Sequence, residues 1–179
     1  MRLLDLLSGG DRRSIGRADE VVARILKHPK EFGSVFEGLA HADEVVRMRA
    51  ADVVEKVSRI RPELVRPYKK RILQDIANTE QPEVQWHVAQ MIPRLELTRH
   101  ERKRAVAILL AYCSMKSRIL RTFALQALFS LAANDPTIRG KVSETALKFA
   151  ESGSPAMKTR AKQILQQLKQ GLPTPPSKS

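Results

Sequence analysis

Four stretches of this 179-residue chain repeat one apolar code, and that code narrows the folds open to it. From Val46, steps of four, seven, eight and eleven residues land on Ala50, Val53, Val54 and Val57. From Val84 they land on Val88, Met91, Ile92 and Leu95. From Leu120 they reach Ala124, Ala127, Leu128 and Leu131, and from Met157 they reach Ala161, Ile164, Leu165 and Leu168. All twenty positions are apolar, and the anchors lie 38, 36 and 37 residues apart. The offsets follow the 3.6-residue period of a helix, whereas a strand would alternate at two. A fixed period in this range marks stacked supersecondary units. The fold expected is all-α, an α-solenoid of about four helix pairs with terminal capping helices, and each coded stretch is the second helix of its pair.

The punctuation agrees with that register. First helices are expected near residues 30–40, 62–77, 99–114 and 136–152, and Pro29, Pro62 and Pro136 stand near their starts. Proline is tolerated there because the N–H it lacks would have no helical partner. Asp135 and Ser154 read as N-caps, and Thr98 with Glu101 reads as a capping box. Pro93, inside the second coded helix, should kink that helix or end it early. Residues 18–27 read as a further helix. Residues 1–16 form an N-terminal arm or cap, residues 17–170 a single solenoid domain, and residues 171–179 a disordered Pro-rich tail.

The net charge of +13 is unevenly held. Residues 1–96 carry 17 Lys/Arg against 15 Asp/Glu, and residues 97–179 carry 15 against 4. Cys113, the single cysteine, lies in an apolar helical run and reads as a small buried hydrophobe. The four histidines have no ligand spacing, so neither metal nor cofactor is expected. No apolar run approaches a membrane span, and the default expectation is a soluble, cytoplasmic protein without a small-molecule substrate.

The turns before the coded helices carry a family likeness. Asp43-Glu44-Val45-Val46-Arg47-Met48-Arg49-Ala50 and Pro82-Glu83-Val84-Gln85-Trp86-His87-Val88-Ala89 resemble the opening of the second helix in the HEAT-repeat family, part of the armadillo-like class. Ser117-Arg118-Ile119-Leu120-Arg121 and Ala156-Met157-Lys158 add to it. The resemblance covers roughly residues 28–169. In two copies the family's Arg is replaced, by Gln85 and by Lys158, and the period is slightly short for the family. The resemblance implies HEAT-like pairs in a curved solenoid whose second helices line a concave face, with partner binding as the usual work.

On that face, offset six reads Asp52, Gln90, Gln126 and Gln163, and offset two includes Trp86, the single tryptophan. Amides in register suit an extended backbone, and an aromatic suits a binding hot spot. The leading expectation is a non-catalytic scaffold that binds a protein partner through Asp52, Trp86, Gln90, Arg121, Gln126 and Gln163. A second reading is nucleic-acid or other polyanion binding through the basic half, at Arg99, Arg102, Lys103, Arg118, Arg121, Lys158 and Arg160, with Arg47 and Arg49 in the same track. A third is lesion binding like that of HEAT-like DNA glycosylases, using Asp52, Trp86 and His87. Gln90 stands where that reading wants an acid, and the chain is not expected to be an enzyme.

Overall fold

The computed structural model describes residues 2–11 and 14–171, and the expected tail at 172–179 lies outside the described residues. Every regular element among the described residues is helical. The helices are α1 (Ala18–Lys27), α2 (Phe32–Glu37), α3 (Glu44–Ile60), α4 (Pro62–Val65), α5 (Lys69–Gln74), α6 (Pro82–Met91), α7 (Arg99–Tyr112), α8 (Arg118–Asn134), α9 (Arg139–Ser152) and α10 (Pro155–Gln170). They form two compact units, Met1–Glu101 and Arg102–Ser179.

The apolar code explains the long helices. Eighteen of its twenty positions are buried, and the remaining two, Leu165 and Leu168 near the end of α10, are half-buried. Each buried Val or Leu contributes about 2 kcal/mol, so every stripe outweighs the modest β-preference of its valines. The cap chemistry sets the boundaries. Asp43 accepts from Val45 N–H at 2.8 Å and starts α3. That helix stops at Ile60, because Arg61 precedes Pro62 and adopts φ −131°. Ser117 and Ser154 cap α8 and α10, and Gly171 ends α10 at φ 81°. Thr98 and Glu101 exchange their hydrogen bonds at 2.8 and 3.3 Å.

Prolines break what periodicity alone would join. The helix expected over 62–77 divides into α4, a 3-10 turn at Arg66–Tyr68, α5 and a second 3-10 turn at Ile76–Asn78. Pro67 has no N–H to continue the ladder. The helix expected over 30–40 is likewise α2 between 3-10 turns at Pro29–Glu31 and Gly38–Ala40. Pro93 ends α6 at Met91 and turns Ile92–Arg94 into a 3-10 segment.

In unit 1, α3 packs between α1 and α6. Phe32 and Phe36 of α2 pack with Tyr68 at ring separations of 5.6 and 4.1 Å. Arg71 lies over Phe36 and pairs with Glu37. The segment Leu3–Leu7 is a docked 3-10 helix that buries Leu3, Leu6 and Leu7. In unit 2, α10 packs on both α8 and α9. No helix of the described residues is long and apolar enough to cross a membrane.

Candidate functional site

Offset one of the code serves the turns. Arg47 Nη1 donates to the carbonyls of His41 and Ala42 at 2.8 and 2.9 Å, and its Nε donates to Gln81 Oε1 at 2.8 Å. Gln85 Nε2 donates to Thr79 O at 2.7 Å, and Arg121 Nε donates to Cys113 O at 3.1 Å. The Gln85 departure therefore keeps the task, since an amide N–H reaches a turn carbonyl as a guanidinium does. The Lys158 side chain makes no hydrogen bond among the described residues, so the fourth copy lacks this link.

Arg49 corrects the expectation of a phosphate-binding track through its position. It is 2 % exposed, and no phosphate could reach it. Its guanidinium donates to the carbonyls of Leu7 (2.9 Å), Gly9 (2.6 Å), Asp11 (3.0 Å) and Ser14 (3.0 Å), with a longer contact to Ser8. The loop can wrap this closely because Gly16 has no side chain. A Cβ there would lie 2.9 Å from the guanidinium carbon, and its φ of +56° is also unfavourable for other residues. Leu7, Gly9, Asp11 and Ser14 are thus tied to α3 by one buried cation.

The second-helix surface of unit 1 brings together Asp52, Trp86, Gln90 and a group of charges that the code does not mark. Glu55, 1 % exposed, pairs with Arg59 at 2.8 Å and with Arg94 at 2.9 Å. Arg94 also donates to Ser58 Oγ at 2.8 Å. The hydrogen bond to Glu55 raises the Arg59 pKa and keeps that guanidinium charged. Lys56 meets Asp19 of α1 at 2.7 Å and Asp52 at 2.8 Å. Burial alone would lower its pKa, but the two acids outweigh burial and raise it. Asp52 Oδ2 is ion-paired with Lys56 yet accepts no hydrogen bond of good geometry.

His87 stands next to this group. Its Nδ1 is buried without a hydrogen-bond partner, and its ring lies 5.9 Å from the half-buried Trp86. Burial lowers its pKa below the usual value; Asp52 and Glu55 oppose that shift, while Lys56 and Arg59 add to it. The imidazole is therefore held neutral, and its Nδ1 is a buried polar atom not used by the fold. Gln90 is partly engaged, donating to Trp86 O at 3.3 Å and accepting from Arg59 at 3.5 Å.

Unit 2 holds the other expected residues. Gln126 accepts from Arg160 at 3.0 Å, and Gln163 is exposed. The expected amide ladder is thus engaged by arginines at Gln90 and Gln126 and open to solvent at Gln163. Arg121 is half-buried, with its guanidinium 4.8 Å over the Phe149 ring. The side chains of Arg102, Lys103, Arg118 and Lys158 make no hydrogen bond or ion pair among the described residues, and neither does Arg99 at the end of unit 1. Cys113 is buried, and burial pushes its thiol up to about 12, which leaves it unreactive. Sequence reasoning missed the Arg49 cradle and the Glu55 triad. The signal for Glu55 was a charged residue flanked by the apolar pair Val53-Val54 and by Val57. For Arg49 there was no local signal, because its partners lie 35 or more residues away.

No family model matches the chain, and no curated protein matches it. Among solved structures, a crystal structure described as that of an engineered protein, from the Northeast Structural Genomics Consortium, is similar over 94 % of this chain and 80 % of its own. The TM-score is 0.65 at 15 % identity, a likeness that speaks to the helical fold alone.

Proposed function

We propose that the chain is a non-catalytic binding module of HEAT-like repeats, and that a protein partner engages the second-helix surface of unit 1 around Trp86. The repeat reading is supported by the buried code, by the stacking of α1, α3 and α6, and by the turn-binding role of offset one. The observation that carries the binding reading is a buried polar atom, His87 Nδ1, left without a hydrogen bond beside a half-exposed indole. Folding rarely leaves such a group unsatisfied, and a partner's hydrogen-bonding group would satisfy it while its apolar atoms cover Trp86. Trp86→Ala with Gln90→Ala should abolish capture of cellular partners by the immobilised protein and leave the helical circular dichroism unchanged. Capture by the double variant at wild-type levels would sink this reading.

A second reading rests on a different observation. The unpaired cations of unit 2, Arg102, Lys103, Arg118 and Lys158, favour nucleic acid as a second class of partner, bound through phosphates and without base reading. Fluorescence anisotropy with a random-sequence duplex should then show affinity falling linearly on a log–log salt plot, and Arg118→Glu with Lys158→Glu should remove the binding. Absence of binding at low salt would leave the charge as a solubility feature.

A further inference from the structure

The face of α9 that turns toward the C-terminal end of α7 is a groove unlike the Trp86 surface. Residues 141, 144, 145, 148, 149 and 152 recur at helical spacings of three and four, and with Leu110 and Arg121 they line an open space of about 620 Å³. Its floor is apolar, formed by Leu110 and Phe149. Arg121 Cζ lies 4.8 Å over the Phe149 ring and the side chain uses only Nε within the fold, so its Nη groups make no hydrogen bond among the described residues. Lys141 is exposed and its ammonium is unpaired among the described residues. Lys148 pairs with Glu144 at 2.7 Å, which leaves Arg121 and Lys141 as the two unmatched cations along the groove.

The spacing of these charges argues for a linear ligand. Lys141 and Lys148 are seven residues apart on one helix, about 10 Å, which is the reach of about three residues of extended chain. A small anion would want an enclosed pocket, whereas this groove is open along the helix axis. A guanidinium stacked on a ring is held for bidentate contact with a carboxylate. The buried, unreactive Cys113 offers no chemistry there. We propose that this groove docks an acidic peptide segment, with carboxylates on Arg121 and Lys141 and one apolar side chain against Leu110 and Phe149. The site is independent of the Trp86 surface, and either can fail without the other.

The test uses the full chain and a fluorescein-labelled peptide Glu-Glu-Leu-Glu-Glu-Phe-Glu-Glu, followed by anisotropy at low salt. Binding in the micromolar range is expected, together with no binding of the same peptide with Gln in place of Glu. Lys141→Glu should weaken binding about tenfold, and Thr145→Trp, which fills the groove without changing charge, should do the same or more. Lys162→Glu makes the same change of net charge on α10, outside the groove, and should stay within about twofold of wild type. Equal losses from Lys141→Glu and Lys162→Glu, or wild-type binding by Thr145→Trp, would overturn the proposal. So would a random-sequence DNA duplex that binds more tightly than the peptide and responds equally to both lysine reversals, because the charge would then belong to nucleic acid.

Discussion

Unit 1 and unit 2 hold similar numbers of cationic side chains, 18 Lys/Arg in residues 1–101 and 14 in residues 102–179, but they place them differently. Unit 1 matches its 18 with 16 acids, and many meet: Arg24 with Glu31, Lys56 with Asp19 and Asp52, Lys69 with Glu101, Arg71 with Glu37, and Arg59 and Arg94 with Glu55. Several of these join successive copies of the repeat. Unit 2 has 3 acids for its 14 cations, and its described residues show one ion pair, Lys148–Glu144, within a single helix. The same helical code thus carries two electrostatic characters. In unit 1 charge is part of the internal structure, and in unit 2 Arg102, Lys103, Arg118 and Lys158 carry theirs without an ion pair among the described residues.

Five variants would break or sharpen that comparison, taken from the largest effect to the smallest. Leu128 is fully buried in unit 2, and Leu128→Asp should cost about 5 kcal/mol and strip hydrogen-exchange protection from α8, α9 and α10. Persisting protection in those helices would mean that the coded stripe does not hold the unit together. Arg49→Met should cost about 3 kcal/mol in urea melts, because it leaves the buried carbonyl of Leu7 and the part-buried carbonyls of Gly9, Asp11 and Ser14 without donors. A loss under about 1 kcal/mol would show that water replaces the guanidinium easily.

Glu55→Gln should cost about 2 kcal/mol, since the half-buried Arg94 then keeps its charge without the buried acid that Arg59 also meets. Glu144→Gln in unit 2 should leave the melt unchanged, because that pair is solvated on both sides. Similar losses from the two would erase the distinction between internal and surface charge. The smallest effect concerns pH. His87 is depressed in the folded state by burial, so above about pH 6.5 its contribution is complete. As pH falls below that value the unfolded chain takes up the proton first, and stability declines. All four histidines lie in residues 1–101, so the loss between about pH 6.5 and 5 should be confined to unit 1 and shrink in His87→Gln. An unchanged pH slope in that variant would remove His87 as its cause.

Much of the helical layout was legible because burial and periodicity are local properties of a helix. Val46 to Leu168 could be assigned to one stripe without knowing any neighbour, and Asp43, Ser117, Asp135 and Ser154 act through bonds two or three residues away. Pro93 ends α6 where its missing N–H requires, and Pro67 breaks the preceding helix for the same reason, although the period alone predicted one helix there. The surface was less legible. Offset one suggested a row of cations for a ligand, yet Arg47, Gln85 and Arg121 bind turn carbonyls instead. Offset six suggested a free amide ladder, yet Gln126 is held by Arg160 from the next copy.

What the sequence determined by itself is the set of helices, their buried stripe and the concentration of positive charge in the second half, all of which depend on residue type and spacing along one chain. Only the tertiary structure decided which charges are internal. Arg49 looks like any surface arginine until the carbonyls of Leu7, Gly9, Asp11 and Ser14 gather on it, and Glu55 is a helix-surface acid until Arg94 arrives from 39 positions downstream. The reason is physical: a side chain's charge is fixed by its chemistry, but its solvation, and hence whether it builds the fold or meets a partner, is fixed by whatever the chain brings beside it.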